Sequence, residues 1–302
     1  MKNAISFNWV SAIAGLFLVS LVACNEDDTG LTAVDATNLQ NEAATDAYFE
    51  DADDLSTLAV WADDATTGGR VDETARRISN IGDLRFSCAE VTITPDEAST
   101  PENPSGMITI DFGTGCTDVR GDERKGKIII TYAGRRFSSG STRTVAFEDY
   151  YINDVKLEGL RNVTNLSGTT DDRPVFQIEV VGGKVTWPDG TTATREVRRI
   201  REWIRAANPQ QDQWIVSQPE DASFAAAGTS REGRSYQVNI TEPLVYKREC
   251  AIASRSMIAV EGVKELIVDG KQMVVDYGDG SCDKTVTITV DGEIRTVELK
   301  GK

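Results

Sequence analysis

The sequence of 302 residues contains no histidine. This absence excludes Ser-His-Asp and Cys-His catalysis, and it also excludes histidine-ligated sites for zinc, copper or non-haem iron. Basic residues are scarce as well, because 32 Lys and Arg stand against 48 Asp and Glu and leave a formal net charge of −16. A nucleic-acid-binding surface needs clustered positive charge to contact phosphates, so we expect no nucleic-acid partner.

Long apolar stretches are few, and the one at residues 4–23 stands at the N-terminus. A span of about 20 residues can cross a bilayer. However, Asn8 and Ser11 interrupt this stretch, and no basic stop-transfer cluster follows it. With Lys2 in front, these flanks predict a processed signal peptide over residues 1–23. An uncleaved anchor is the alternative.

Residues 21–24, Leu-Val-Ala-Cys, end this stretch and resemble a bacterial lipobox, the motif at which signal peptidase II cleaves after the lead cysteine is lipidated. The run Asn-Glu-Asp-Asp at residues 25–28 is similar to the export signal of Bacteroidetes lipoproteins that reach the outer face of the outer membrane. A solvated tether is the alternative for such a run. The resemblance implies an outer-membrane lipoprotein, exposed at the cell surface and held in the lipid bilayer by acyl chains such as palmitate on Cys24.

Only five cysteines are present, and lipidation of Cys24 leaves four. An even number in an exported chain predicts disulfides rather than reactive thiols. Spacing alone does not choose among the three possible pairings. The internal duplication described below favours Cys88 with Cys116 and Cys250 with Cys282.

Residues 24–40 are polar and acidic without an apolar period, so they predict a flexible tether. Residues 41–80 form a helical segment in this interpretation, with Asp46 as its cap and Thr67-Gly68-Gly69 as its stop. The polar face of the helix is acidic, whereas helices on membrane surfaces favour Lys and Arg. We therefore expect it to pack on the protein's own sheet. The apolar residues at helical spacing are Tyr48, Ala52, Leu55, Ala59 and Ala62.

Residues 81–302 are rich in Val, Ile, Thr, Tyr and Phe, with Gly, Asp and Asn between the runs. Asp-Gly pairs at residues 269–270 and 291–292 are typical of hairpin turns. The pattern predicts a mainly β protein: an antiparallel β-sheet body, either a sandwich or an open half-barrel, with one N-terminal helix. Residues 194–205 fit a helix or a strand, and the turn before them favours a strand.

Two stretches of this body are alike. Asp111-Phe112-Gly113 precedes Gly115-Cys116, and Asp276-Tyr277-Gly278 precedes Gly280 and Cys282. We interpret residues 81–302 as two related β units, each ending a strand in a glycine turn. With the lipobox and the acidic run, these paired turns resemble the β-rich outer-membrane lipoproteins of Bacteroidetes, a resemblance that implies no particular activity.

The carboxylates around the second turn have three interpretations. Asp276, Asp279 and Asp283 could bind Ca²⁺, although their spacing is not that of an EF-hand loop. They could also supply an acid/base pair for glycoside hydrolysis. The favoured interpretation is that they bond the local backbone of the turn, so the sequence predicts no cofactor.

One basic cluster stands out in this acidic chain. On a strand, Arg195, Arg199, Arg201 and Trp203 share one face, which could receive an anionic glycan, a lipid phosphate or an acidic partner strand. The alternative is pairing with the protein's own carboxylates, such as Glu179. Tryptophans 187, 203 and 214 could form a sugar-stacking platform, with burial in the core as the alternative.

The sequence therefore predicts a non-enzymatic, membrane-anchored binding or scaffold module for a glycan, lipid or protein partner at the cell envelope. A glycan-active hydrolase with an Asp/Glu pair and a carrier of lipophilic ligands are the alternatives. A hydrolase requires two carboxylates about 5–10 Å apart in a cleft. A carrier requires a large cavity with an apolar lining, and a binding module requires an exposed aromatic or basic patch.

Overall fold

In a computed structural model of the chain, the residues described are 32–63, 66, 76–78, 81–167, 173–254 and 257–299. The predicted lipobox, the acidic run after it and the predicted helix stop at residues 67–69 lie outside these ranges. Among the described helices, none is long and apolar enough to cross a membrane.

The longest element is the helix α1 (Ala33–Trp61), whose 29 residues extend for about 44 Å at 1.5 Å per residue. Thr32 caps it with a capping box: the Thr32 hydroxyl accepts a hydrogen bond from the Asp35 N–H at 3.1 Å, and the Asp35 carboxylate accepts one from the Thr32 N–H at 2.9 Å. The helix therefore begins eight residues before the predicted start at residue 41. Asp46, predicted as the cap, lies in the middle of the helix and is buried.

Apart from two single-turn 3-10 helices (Leu84–Phe86 and Pro209–Gln211), the remaining described elements are one short α-helix and sixteen strands. The helix is α2 (Arg248–Ser254). The strands are β1 (Arg76–Ile78), β2 (Glu90–Pro95), β3 (Ser105–Asp111), β4 (Cys116–Thr117), β5 (Glu123–Ala133), β6 (Thr142–Ile152), β7 (Val155–Asn165), β8 (Val175–Thr186), β9 (Thr192–Ile204), β10 (Gln213–Ser217), β11 (Ala226–Thr229), β12 (Ser235–Lys247), β13 (Glu261–Val268), β14 (Lys271–Asp279), β15 (Thr285–Val290) and β16 (Glu293–Glu298).

The strands form one antiparallel sheet in which most neighbours in space are neighbours in sequence. The order is β1-β2-β3-β5-β6-β7-β8-β9-β10-β12-β13-β14-β15-β16, with β4 on β5 and β11 between β9 and β12. The predicted mainly β fold with one N-terminal helix is confirmed. A single continuous sheet agrees with the half-barrel alternative rather than with a sandwich of two separate sheets.

The sheet curves around α1, because the helix contacts strands from distant parts of the sheet order. Asp35 on the first turn pairs with Lys271 of β14 at 2.7 Å, and Asp53 pairs with Arg143 of β6 at 2.7 Å. The apolar helix residues Leu39, Phe49 and Leu55 are completely or almost completely buried. The predicted packing of this helix on the body is therefore confirmed, and the sheet's inner face surrounds it.

The ambiguous residues 194–205 lie in strand β9, as the preceding turn indicated. Two disulfides join Cys88 to Cys116 and Cys250 to Cys282, which is the pairing that the duplication favoured. The two glycine turns next to them each contain the same kind of hydrogen bond, from a glycine N–H to the aspartate two residues earlier. The Gly113 N–H donates to Asp111 at 2.7 Å, and the Gly278 N–H donates to Asp276 at 2.8 Å.

Candidate ligand-binding cavity

The polar face of α1 is neutralised by basic side chains from the sheet, a group that we call the helix–sheet ion network. Its ion pairs connect four strands to one side of the helix. The members are the carboxylates Glu42, Asp46, Glu50 and Asp53 and the cations Arg143, Arg161, Arg195, Arg199, Arg201 and Lys264. Six cations against four carboxylates leave this network with a charge of +2.

Two sequence periods place these groups opposite each other. The four carboxylates recur every three or four residues and therefore share one face of the helix. Arg195, Arg199 and Arg201 stand at alternating positions of β9, which point to one side of the sheet. Arg195 Nη1 donates to Glu42 at 2.9 Å, and Arg199 Nη1 donates to Asp46 at 3.0 Å.

The buried carboxylates stay ionised despite their removal from water. Burial by itself would raise the pKa of Asp46, but the charges of Arg195 and Arg199 outweigh it and hold that pKa well below its ordinary value. Asp53 is held low in the same way by Arg161 and Arg143. Asp46 and Asp53 are thus fixed negative charges that offset the basic residues of the sheet.

Arg195 and Arg199 do not form a basic face that is open to a ligand. Their exposed fractions are 1% and 3%, because both side chains point at α1 and are held by helix carboxylates. The other interpretation, pairing with the protein's own carboxylates, is correct, but the partners lie on α1. Glu179 itself pairs with Arg198, on the opposite face of the strand, at 3.6 Å.

A second group of charges lies beside Asp51 of the helix. Arg124 is completely buried and donates to Asp51 at 2.7 Å and to the Tyr150 hydroxyl at 2.6 Å. Burial raises the pKa of Tyr150 to about 12. Arg85 also contacts Asp51, at 3.2 Å, together with Asp83 at 3.0 Å. These carboxylates are therefore occupied by guanidinium groups and are poorly suited to general acid or base chemistry.

A cavity opens at the C-terminal end of α1, between the last helical turn and strands β5 to β10. It contains about 670 Å³ of space free of protein atoms, its open mouth included. Trp61 of the helix and Trp203 of β9 stack in its wall, with ring centroids 4.5 Å apart and planes 10° from parallel. The aromatic residues that line the cavity are Trp61, Tyr132, Phe137, Phe176, Trp203 and Trp214.

The polar groups of the cavity wall are mainly hydrogen-bond donors. Arg136, Arg143 and Arg201 contribute to the lining, whereas none of the described lining residues is Asp or Glu. The Trp203 Nε1–H and the Arg143 Nε–H are buried and have no hydrogen-bond partner. Buried tryptophan N–H groups usually find an acceptor, so these two donors are exceptions within the described wall.

The cavity brings together only part of the predicted site. Arg201 and Trp203 line it, as does Trp214, while Trp187 is buried elsewhere beneath Arg231, whose guanidinium lies 4.7 Å from the ring centroid. Sequence reasoning missed Trp61, Phe137 and Phe176. The position of Trp61, three residues after the apolar Leu58, was a usable signal, but nothing in the sequence indicated that these distant aromatic residues meet.

The three carboxylates considered for Ca²⁺ are occupied in their own turns. Asp276 accepts a hydrogen bond from the Gly278 N–H at 2.8 Å, and Asp279 accepts one from the Ser281 N–H at 3.2 Å. Asp283 accepts one from the backbone N–H two residues later at 2.9 Å. Across the described ranges, no group of three or more His, Cys, Asp or Glu residues is placed to hold a metal ion. The turn interpretation of these residues is therefore confirmed.

The cavity thus combines an aromatic wall with two unpaired hydrogen-bond donors. Arg143 and Arg201 of the wall also belong to the helix–sheet ion network, in which cations outnumber carboxylates. Such an arrangement can enclose a small molecule, but its described lining offers no carboxylate to act as an acid, a base or a nucleophile. No protein-family model matches the sequence, and comparisons with curated proteins and with solved structures give no match.

Proposed function

We propose that this chain is a non-enzymatic ligand-binding lipoprotein of the cell envelope. In this proposal Cys24 anchors the body to the outer membrane at the cell surface, and the cavity at the end of α1 holds a small molecule with substantial apolar surface. The observation that carries the proposal is the aromatic lining of the cavity at the end of α1. Small-molecule sites are typically apolar concavities with a few placed polar groups.

The chemistry of the wall favours binding over hydrolysis. Glycoside hydrolysis needs two carboxyl groups flanking the bond to be cleaved, and the described lining residues include none. The chain also has no histidine to activate Ser141 or a threonine of the wall. A concave wall lined by aromatic side chains differs from a flat binding patch, so we favour the holding of a small ligand over a pure scaffold role.

The disulfides support placement in the envelope. The disulfides Cys88–Cys116 and Cys250–Cys282 are typical of an oxidising compartment. Seven residues separate Cys24 from Thr32, and even fully extended this connection spans at most about 29 Å. An acylated Cys24 would therefore hold the first turn of α1 close to the bilayer surface.

The anchor is tested by expressing the full chain in a lipoprotein-processing bacterium with labelled palmitate. We expect the label to be incorporated, the mature N-terminus to lie at Cys24, and the protein to fractionate with the outer membrane. Cys24→Ser should lose the label and leave the membrane, whereas Cys88→Ser should keep the label. An unlabelled wild-type chain with an intact N-terminus would contradict the anchor.

Occupancy of the cavity is tested by calorimetry with a neutral two-ring probe, 2-naphthamide, using the full chain in phosphatidylcholine nanodiscs and empty nanodiscs as the blank. Thr57 lines the cavity from α1, and Thr57→Phe places a ring inside it. Thr37 is exposed on the same helix and makes the same hydroxyl contact with the carbonyl four residues earlier, so Thr37→Phe is the matched control.

We expect saturable 1:1 binding to the wild-type chain and to Thr37→Phe, and a loss of at least tenfold in affinity for Thr57→Phe. Equal binding by all three chains would place the probe outside the cavity. Absence of binding to the wild-type chain would contradict the proposed function directly.

A further inference from the structure

We propose that the natural ligand of the cavity is an aromatic organic anion, with its rings against the tryptophans and its negatively charged group beside Arg143. This inference rests on the proposed function, since it names the chemical class of ligand for the same cavity. It follows from three properties of the wall: its ring surfaces, its unpaired donors and its excess of positive charge.

The ring surfaces favour a flat ligand. Phe137 lies 6.1 Å from Trp203, centroid to centroid, and continues the stacked pair of Trp61 and Trp203 along the wall. Phe176 and Trp214 complete the lining from β8 and β10. Aromatic pairs gain about 0.5–1.5 kcal/mol beyond the burial of their area, so an aromatic body gains more from this wall than an aliphatic chain of equal area.

The unpaired donors require an acceptor. Trp203 is 5% exposed, and its Nε1–H is shielded from water without a hydrogen-bond partner. Arg143 uses Nη2 to bind Asp53 at 2.7 Å, while its Nε–H has no partner. A buried donor without an acceptor costs about 1–3 kcal/mol. The wall does hold acceptors, among them the Asn165 amide oxygen and the Ser141 hydroxyl, but none of them bonds either donor. A ligand rich in acceptor atoms can supply the missing partners.

The charge of the adjoining network favours a negative ligand. Where the helix–sheet ion network meets the cavity, Arg143, Arg161 and Arg201 surround Asp53, and Glu50 is the second carboxylate. Three guanidinium groups against two carboxylates leave one positive charge uncompensated. Of the three, Arg143 and Arg201 line the cavity. Arg143 pairs with Asp53, whereas Arg201 pairs with both Asp53 and Glu50.

The titration of Arg143 agrees with this geometry. Burial lowers the pKa of Arg143 below its ordinary value, the charges of Arg161 and Arg201 lower it further, and Asp53 offsets only part of the effect. Arg195, Arg199 and Arg201 have raised pKa values instead. Arg143 has a single carboxylate partner, Asp53, which it shares with Arg161 and Arg201.

The test compares two isosteric probes, 2-naphthoate and 2-naphthamide, which differ in charge but hardly in shape. Their affinities for the full chain in nanodiscs are measured by calorimetry at pH 7, with empty nanodiscs as the blank. We expect the carboxylate to bind at least tenfold more tightly than the amide, since hydrogen bonds to charged groups are about twice as strong as neutral ones.

Two pairs of matched variants locate the preference. Arg143→Gln should reduce the ratio of the two affinities to about one, because Arg161 and Arg201 then balance Glu50 and Asp53, while Arg198→Gln, on the outer face of β9, should leave the ratio unchanged. Trp203→Phe keeps a ring but removes the donor, and it should weaken both probes. Trp187→Phe, outside the cavity, makes the same change and should weaken neither.

The outcomes separate this inference from the proposed function. Equal affinity of the two probes, with both lost in Thr57→Phe, would leave a ligand-binding cavity and overturn the anionic class of the ligand. An unchanged carboxylate preference in folded Arg143→Gln would also overturn it. A carboxylate preference that disappears in Arg143→Gln and persists in Arg198→Gln supports it. If Arg143→Gln does not fold, the ratio of the two affinities in the wild-type chain decides.

Discussion

Asp53 is the residue around which the charges of the cavity end of α1 are arranged. Three guanidinium groups contact its two carboxylate oxygens, with Arg143 Nη2 at 2.7 Å, Arg161 Nε at 3.1 Å and Arg201 Nη1 at 2.6 Å. Its side chain is 1% exposed. Removing one partner of a buried ion pair is much more destabilising than removing the whole pair, so this one carboxylate has a large effect on stability.

Asp53→Asn should therefore destabilise the protein strongly. It leaves Glu50 as the remaining network carboxylate beside three cations, and we expect a loss of about 3–5 kcal/mol in the free energy of unfolding. The measurement is equilibrium unfolding in urea at pH 7, read by near-ultraviolet circular dichroism.

The control for this change is Asp154→Asn. Asp154 makes an exposed pair with Lys125 at 3.2 Å, and its φ of 62° is one that Asn also tolerates. A surface pair contributes about 0–1 kcal/mol, so this variant should unfold near the wild-type midpoint. Similar losses in the free energy of unfolding for the two variants would contradict the burial of the ion network.

At the scale of the element, the sequence shows where α1 begins but does not show that its polar face is buried. The capping box of Thr32 and Asp35 is local and readable from the sequence. The buried polar face is not readable, because its partners come from β6, β7, β9 and β13, far away in sequence. An acidic helical face is ordinarily a solvated one, which is why residues 33–40 were predicted to be a tether.

The cap offers a test of where the helix begins. Thr32→Ala removes the hydroxyl that accepts the Asp35 N–H, and loss of such a cap costs about 1 kcal/mol. Thr37→Ala makes the same chemical change at an exposed position inside the helix and should be neutral or slightly stabilising. Urea unfolding of both variants measures the difference, and a neutral Thr32→Ala would place the helix start later in the chain.

The strands were better predicted than the helix, because their signals are local. Alternating apolar residues and Asp-Gly turns gave the hairpins, and Asp269 and Asp291 have the positive φ of 50° that such turns require. The strand β11 was missed because its sequence, Ala-Ala-Gly-Thr, has no β pattern. It lies so close to β9 that a Cβ on Gly228 would be 2.0 Å from the Thr194 carbonyl oxygen, and this close approach is a tertiary property.

At the scale of the whole molecule, the fold is a single sheet wrapped around one helix, with opposite charges on the two surfaces that meet. The sequence predicted the β class, the N-terminal helix and both disulfides from local patterns and internal similarity. It did not predict that the basic cluster of β9 and the acidic face of α1 neutralise each other, and the cavity depends on that contact. Both charged surfaces can be recognised in the sequence, but the sequence does not show that they face each other.

This charge arrangement makes stability depend on pH at both extremes. The pKa values of Glu42, Asp46 and Asp53 are lowered in the folded protein by neighbouring cations, in spite of burial. Because the unfolded chain binds these protons first, the stabilisation is fully present above the ordinary values near 4 and is lost as the pH falls below them. Lys264 and Tyr150 have raised pKa values, Tyr150 to about 12, so their contribution is lost as the pH rises above about 10.

We therefore expect the urea midpoint of unfolding to be nearly constant from about pH 5 to 9, to fall steeply below about pH 4, and to fall again above about pH 10. The Asp53→Asn variant should lose part of the acid dependence. A midpoint that stays the same between pH 7 and pH 3 would contradict the buried ion network.

The most direct test of the whole account uses the tryptophans of the cavity as reporters. Five tryptophans are present, and Trp9 lies in the predicted signal peptide. In the processed chain Trp187→Phe therefore leaves Trp61, Trp203 and Trp214, all of which line the cavity. Titration with 6-bromo-2-naphthoate, a quencher of indole fluorescence, should give saturable quenching that Thr57→Phe abolishes and Thr37→Phe preserves. Unsaturable quenching, or saturable quenching that Thr57→Phe leaves intact, would show that the cavity at the end of α1 is not a ligand site.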